Sequence, residues 1–426
     1  MKISPARVAA FDILLRIETE RAFSSILLPQ YESQLAERDR GLCHELTLGS
    51  LRRQIYLDRT IDHYAGGKKV DAAVRIAVRL AIYQLVFLDK IPDHSAVDES
   101  VKLVQRARKT SAKGFVNAIL RRAATERIEL PFDDDIDKLS VETSHPRWLL
   151  ERWISHFGEQ GTAELASANN RVDRHAFRVI GDGTPKLGDA RPSEFVEGCY
   201  VVDKLDRNLI DLAARREIYF QDEASQMVAN AVNIPEGGSF LDVCAAPGGK
   251  TGSILRRCGR TTKVAVAGDL FWTRVLGLRD NLEGQRVQDV GIVRYDAEMS
   301  LPFSDSAFDA VLVDAPCSGT GTIRRNPELR YFLEPADIPE LAEKQLRILK
   351  NASKLVSHGG SMIYSTCSFE SEENEDVCRR FLTAEDGFDH VAPRVPLRFL
   401  GTLGSARTFP DRDNMDGFFV AEFRRK

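Results

Sequence analysis

Two thiols and a glycine turn carry the residue types that could do chemistry in this chain. Cys317 sits in DAPCSGTG (Asp314–Gly321) and Cys367 in YSTCS (Tyr364–Ser368), each just after an apolar run with strand character. Small neighbours leave room for a substrate at both positions. A thiol reacts as its thiolate, and its ordinary pKa of about 8.5 falls beside a helix N-terminus or a cation such as Lys250. One cysteine at a strand end would be ordinary. Two, both projecting at the edge where a ligand binds, point to nucleophilic thiol chemistry.

The glycine turn is LDVCAAPGGKT (Leu241–Thr251), a buried-strand pattern running into two glycines and a lysine. A Walker A loop would need glycine at position 244, which is Cys244, and no GxGxxG dinucleotide fingerprint is present. What remains is a strand ending in an acid, a turn that lets a ligand approach the backbone, and a helix start whose free N–H groups favour a carboxylate. Asp242, Asp269, Asp296 and Asp314 close four successive strands, and Asp269 stands where doubly wound folds put an acid on ribose hydroxyls. A ribose-containing ligand with an amino-acid end, S-adenosylmethionine, fits these features better than ATP or NAD.

A methyl donor beside thiols suits one reaction well. Carbon-5 of cytosine is not nucleophilic by itself, but addition of a thiolate to carbon-6 makes it so. The carbon-5 hydrogen then leaves and the enzyme thiol is eliminated. A carboxyl group at the N3 and amino edge of the ring would stabilise the adduct, and Asp314 is placed for it.

The elements that must position these groups follow from periodicity. From Gly237 onward apolar strand runs (SFLDVCA, KVAVAGD, GIVRYDA, FDAVLVDAP, GSMIYSTCS) alternate with amphipathic helices, which means a parallel, doubly wound sheet. The closing GFFVAEFRR reads as a final antiparallel strand. From Pro5 to about Thr125 the spacing is helical throughout, as in PARVAAFDILLRI and DAAVRIAVRLAIYQLVFL. ELPFDDDIDKLS (Glu129–Ser140) is acidic, contains Pro131 and reads as a linker. Beyond it, HPRWLLERWISHFG is helical, and residues 169–220 are loop-rich and strand-like, an α+β pattern.

The net charge of −4 conceals an asymmetry: residues 1–130 hold 22 Lys and Arg against 16 Asp and Glu, so the N-terminal part is the expected polyanion contact. Lys102, Arg106, Arg108, Lys109, Lys113, Arg121 and Arg122 fall close together there. The seven cysteines form no CxxC pair and the histidines no HxH or HExxH, so no metal site is expected. The first twenty residues read as an amphipathic helix rather than a secretory signal. The apolar run Leu80–Leu88 is too short for a bilayer, and a cytoplasmic location is expected.

KGFVNAILRR (Lys113–Arg122) resembles the helical RNA-binding domain of the NusB family. FQDEASQMVA (Phe220–Ala229), DVCAAPGGKT, DAPCSGTG and YSTCS followed by EENEDV resemble the signature motifs of the Nop/Sun family of RNA cytosine-C5 methyltransferases. The resemblance spans nearly the whole chain. It implies a NusB-like all-α domain over 1–128, a linker over 129–140, a small α+β RNA-recognition subdomain over 141–220 and a Rossmann-like catalytic domain over 221–426. It also implies Cys367 as the nucleophile and Cys317 as the thiol that assists product release, with Asp314 and Lys250 beside them. Cofactor contacts carry over onto Cys244, Ala245, Ala246, Pro247, Gly248, Gly249, Lys250, Asp269, Arg274, Asp296 and Asp314. The implied substrate is ribosomal RNA of the small subunit (16S), with no membrane partner, and a monomer is expected. Ile180 stands where the family carries asparagine. An idle RNA-binding assembly factor is disfavoured by the intact Cys317, Cys367, Asp314 and Lys250, and a nucleotide-phosphate hydrolase by the missing Walker glycine.

Overall fold

The computed structural model describes residues 3–126, 129–171, 174–181, 183, 185–258 and 261–426. The chain divides into two compact units, Met1–Asn170 with Ile323–Leu333, and Arg171–Thr322 with Glu334–Lys426. Among the described residues no helix is long and apolar enough to cross a membrane.

The first unit is helical: α1 (Pro5–Glu20), α2 (Ser24–Glu32), α3 (Glu37–Arg52), α4 (Gln54–Ala65), α5 (Ala72–Phe87), α6 (Asp93–Arg106), α7 (Lys113–Thr125), α8 (Asp135–Thr143) and α9 (Arg147–Ala168). Local chemistry sets several starts. Ser4 accepts the Arg7 N–H ahead of Pro5, and Asp71 caps α5 through the Ala73 N–H. α5 buries nearly every residue from Ala73 to Gln84, as a helix ringed by others must. Two buried cations are paired: Arg7 meets Glu99 at 3.0 Å, and Arg79 meets Asp58 and Glu18 at 2.6 Å each.

The stretch expected as a linker over 129–140 is partly helix. Asp134 accepts the Asp137 N–H, and Asp135 and Asp137 occupy the first turn of α8, where carboxylates suit the positive helix end. The apparent breaker is an N-cap. Residues 127 and 128, where the first expected boundary falls, lie outside the described residues. Nor does a subdomain begin at 141, because α8 and α9 belong to the helical unit as far as Asn170. α9 buries Leu149, Leu150 and Trp153. Arg330, from the short α14 (Leu329–Phe332), donates to the Thr143 carbonyl at 3.0 Å, the Ser144 carbonyl at 3.2 Å and Asn170 Oδ1 at 3.1 Å. A residue far along the chain thus ties together the segments that flank α9, which no local pattern shows.

In the second unit β1 (His175–Val179), β2 (Arg191–Pro192), β3 (Cys199–Val202) and β4 (Ile218–Phe220) form an antiparallel sheet in the order β2-β3-β1-β4. α10 (Arg207–Ala214) covers it, with Leu209 and Leu212 packed on Phe177, Val202 and Ile218. Ile180, just past β1, is buried and donates its N–H to the Glu217 carbonyl at 2.8 Å.

The larger sheet contains β5 (Ser239–Asp242), β6 (Val264–Asp269), β7 (Val290–Arg294), β8 (Phe308–Asp314), β9 (Val356–Thr366), β10 (Phe388–Val391), β11 (Ala406–Arg407) and β12 (Phe419–Arg425). Its order is β10-β12-β9-β8-β5-β6-β7, with β11 paired to β12. The run from β9 to β7 is parallel, while β12 is antiparallel to β9. The expected closing strand is therefore β12, but β10 lies outside it. β10 is a half-exposed edge whose Phe-Asp-His-Val sequence carries no clear alternation.

Helices α11 (Glu223–Ala231), α12 (Gly249–Cys258), α13 (Trp272–Gly284), α15 (Asp337–Ser353) and α16 (Glu375–Ala384) accompany the sheet. Phe240 and Leu241, consecutive and both wholly buried, enter the separate cores on its two faces, as the alternation of a strand requires. β5 lies between β6 and β8, so the strand order reverses there, and the carboxyl end of β5 is the switch point where open sheets hold ligands.

The burial of α9 yields a stability test. Trp153→Ala is expected to destabilise the helical unit by about 3–5 kcal/mol, the usual cost of deleting a fully buried aromatic side chain. Urea unfolding of the full chain followed by circular dichroism reads it, and a loss under about 1 kcal/mol would contradict the packing assigned to α9.

Candidate active site

The glycine turn leaves β5 at Asp242 and enters α12 at Gly249. Asp242 is 1% exposed; its Oδ2 accepts the Thr251 hydroxyl at 2.6 Å, and among the described residues its Oδ1 has no hydrogen-bond partner. Burial pushes this carboxyl up to about 7, against the opposing pull of the Thr251 hydroxyl. Gly248 has φ +98°, and a Cβ there would meet Leu278 Cδ1 at 2.7 Å, so both backbone and space demand glycine. Ala245, Ala246 and Cys244 line the turn as small residues between Asp242 and Pro247.

Asp269, at the end of β6, is 4% exposed. Its Oδ2 accepts the Ala246 N–H at 3.3 Å and pairs with Arg274 at 3.2 Å, while Arg274 also donates to the Ala246 carbonyl at 2.9 Å. Asp269, from β6, and Arg274, from the helix that follows it, thus brace the turn. Asp296 lies two residues past β7, exposed, and accepts the Glu298 N–H at 2.9 Å. A backbone-lined turn with no room for Cβ, an unpartnered buried carboxylate oxygen and an acid at the next strand end suit a ligand with an ammonium group and a diol.

A second group gathers beside the turn. Lys250, on the first turn of α12, reaches Asp314 Oδ2 at 2.6 Å, and its ammonium lies 4.8 Å from the Phe418 ring centroid. Burial alone would lower this lysine, but Asp314 outweighs it and the pKa is raised, so the cation persists. The Ser365 hydroxyl donates to Asp314 Oδ1 at 2.7 Å. Because β8 and β9 pair in parallel with Asp314 opposite Ser365, the residues just beyond them emerge side by side. Cys317 and Cys367 are those residues. Their sulfurs are 3.1 Å apart, and the Cys367 N–H donates to Cys317 Sγ at 3.2 Å.

The Cys317 thiol is held well above its ordinary range, first by its hydrogen bond with Cys367 and then by burial, with Cys367 and Glu373 adding to the effect. That is opposite to the lowering expected for a strand-end thiol near Lys250. The cation is aimed elsewhere: Lys250 interacts electrostatically with Cys367. Ser318, Ser368, Gln345 and Glu373, packed behind the sulfurs, carry no expectation from the motifs. One signal was available, since a Cys-Ser dipeptide occurs in both thiol motifs.

Fold and site together define the class, a Rossmann-like methyltransferase dependent on S-adenosylmethionine and preceded by a NusB domain. Residues 229–424 match the family described as 16S rRNA methyltransferase RsmB/F, and residues 4–125 match the NusB family. The chain is 31% identical to the probable ribosomal RNA small subunit methyltransferase B of Bacillus subtilis, over 100% of both chains. It is 33% identical to ribosomal RNA small subunit methyltransferase B of Pseudomonas putida, over 89% of each. The crystal structure of PH0851 has the same fold, with a TM-score of 0.85, 23% identity and coverage of 100% of both chains. The chain belongs to the RsmB/F methyltransferase family.

Two measurements check the site. Asp242 has a folded pKa of about 7 against an unfolded value of about 4, so its neutral form favours the fold. Stability of the ligand-free protein is expected to fall as pH rises from about 4 to 7, and Asp242→Asn should remove that slope in thermal melts across the range. Asp269→Ala is expected to weaken S-adenosylmethionine binding about 10- to 100-fold by calorimetry, the worth of hydrogen bonds to a charged group. Unchanged binding would remove Asp269 from the cofactor site.

Proposed function

We propose that this chain methylates carbon-5 of a cytosine in small-subunit (16S) ribosomal RNA through a covalent bond between Cys367 and carbon-6. The observation that carries the reading is the pair of sulfurs 3.1 Å apart at adjacent strand ends, beside the Lys250–Asp314 ion pair. The names of the relatives support the RNA class, and the thiol motifs support the chemistry.

S-adenosylmethionine, when bound, supplies an electrophilic methyl group. The residues proposed to hold it are Cys244 to Lys250, with Asp242 toward its ammonium end and Asp269, steadied by Arg274, toward its ribose. Asp296 and Asp314 complete the acid-lined edge. Cys367 adds as thiolate to carbon-6, and the ring electrons make carbon-5 the nucleophile. The Lys250 ammonium interacts electrostatically with that sulfur. Asp314, hydrogen-bonded by Ser365 and Lys250, faces the developing charge at the N3 and amino edge. Once carbon-5 carries the methyl, its hydrogen leaves as a proton, the carbon-5–carbon-6 double bond re-forms and the Cys367 thiolate is expelled. Cys317, kept as a thiol by its raised pKa, hands its proton to the leaving Cys367 sulfur 3.1 Å away and takes the carbon-5 proton in exchange.

The base must leave any stack for a sulfur to reach carbon-6 over the ring face, so a splayed or flipped nucleotide in structured RNA is the expected substrate. The basic helical unit supplies phosphate contacts whose strength falls with salt.

The two sulfurs are separated by mutation. Cys367→Ala should abolish methylation and covalent adduct alike. Cys317→Ala should attack but fail to release, accumulating an RNA–protein complex that survives denaturing gels. The reverse pattern would exchange the two roles, and no adduct in either variant or the wild type would overturn the covalent mechanism.

A further inference from the structure

The carboxylate of Glu373 binds the serines that follow both cysteines, from the EENEDV stretch to which no chemistry has been assigned. Glu373 is wholly buried, and among the described residues none of its hydrogen-bond partners is a cation. Its Oε1 accepts the Ser318 N–H and the Gln345 amide N–H, each at 2.8 Å. Its Oε2 accepts the Ser318 hydroxyl at 2.5 Å and the Ser368 hydroxyl. A carboxylate offers about four acceptor sites, and here four donors fill them. Two of the donor residues directly follow the two cysteines in sequence.

The surroundings hold the carboxylate from every side. The Tyr364 hydroxyl donates to the Glu373 carbonyl at 2.5 Å, and Gln345 also donates to the Pro316 carbonyl at 3.0 Å. The next residue, Asn374, accepts the Thr366 hydroxyl at 2.5 Å and donates to the Ser368 carbonyl at 2.9 Å. Behind the loops, the Gly321 N–H donates to the Cys367 carbonyl at 2.9 Å and the Phe369 N–H to the Thr320 hydroxyl at 2.9 Å. Glu373 joins both Cys-Ser dipeptides through one group, and their serine hydroxyls also meet each other at 3.0 Å. An acceptor with neutral donors alone, buried this deeply, holds its partners tightly because no water can replace them.

We infer that Glu373 is a positioning residue that sets the separation of the two reactive sulfurs by binding both Cys-Ser loops at once. The inference rests on the covalent reading above, in which one sulfur must meet carbon-6 while the other serves the adjacent carbon. Ser368 is the arm of the latch on the attacking side, and Ser318 is the arm on the release side.

The test uses the full-length protein, S-adenosylmethionine and a small-subunit ribosomal RNA transcript containing 5-fluorocytidine, whose fluorine cannot leave as a proton does. Trapped adduct is followed in single turnover, and release is followed on the unsubstituted transcript. Glu373→Ala should slow adduct formation about 10²-fold, the effect of a misplacement near 1 Å. Glu373→Gln, which keeps the shape and can still bond both serines after their hydroxyls turn, should restore most of the rate. Ser368→Ala should slow attack about tenfold, and Ser318→Ala should slow release about tenfold, each the worth of one charge-assisted hydrogen bond.

The inference is overturned if Glu373→Ala and Glu373→Gln behave alike, if both serine variants slow the same step, or if the losses merely follow S-adenosylmethionine affinity. The serine variants decide the matter should Glu373→Ala fail to fold. Should the wild type itself trap no adduct, it is the cytosine reading that falls. The latch is then read from the thiols: alkylation rates of Cys317 and Cys367 with iodoacetamide, measured by peptide mass, should change about tenfold in Glu373→Ala and little in Glu373→Gln. Equal rates in all three proteins would overturn it.

Discussion

The parallel pairing of β8 with β9 is the constraint on which the chemistry hangs. Its register sets Asp314 opposite Ser365, so that the chain leaves both strands at the same height. Cys317 and Cys367, separated by 50 positions, then emerge within a hydrogen bond of each other. A slip of one residue would turn every side chain of a strand to the other face and separate the sulfurs. The buried faces of both strands hold the register, since Val311, Val313, Met362 and Tyr364 all lie in one core.

Electrostatics at this edge follow from what burial leaves unpaired. Lys250 keeps its proton because Asp314 is within 2.6 Å, and it faces Cys367. Asp242, one strand away, accepts the Thr251 hydroxyl, and burial pushes it up to about 7. Glu373 is likewise pushed up by burial, but neutral donors occupy its oxygens.

Much of this was legible in the chain. The alternation of apolar runs and amphipathic helices, the glycines at 248 and 249 and the two Cys-Ser dipeptides are local patterns, and the sheet and its ligand edge follow from them. The misreadings share a cause. Asp134 and its neighbours look like a breaker until α8 is seen to start on them, because an N-cap and a turn use the same residue types. α9 shows an apolar stripe whose partner no periodicity can name, and packing alone places it in the helical unit. β10 pairs at an exposed edge, where selection on apolar alternation is weak.

Element types, caps, the glycine conformation at position 248 and the chemical kind of each reactive group are short-range matters, decided by sterics and side-chain donors within a few residues. Long-range packing chose the rest. It selected the register that joins the two sulfurs and folded Glu373 inward to meet both serines. It also placed Ile323–Leu333 with the helical unit rather than with the sheet that precedes it. These arrangements depend on which surfaces bury one another across dozens or hundreds of residues, and no local pattern encodes that selection.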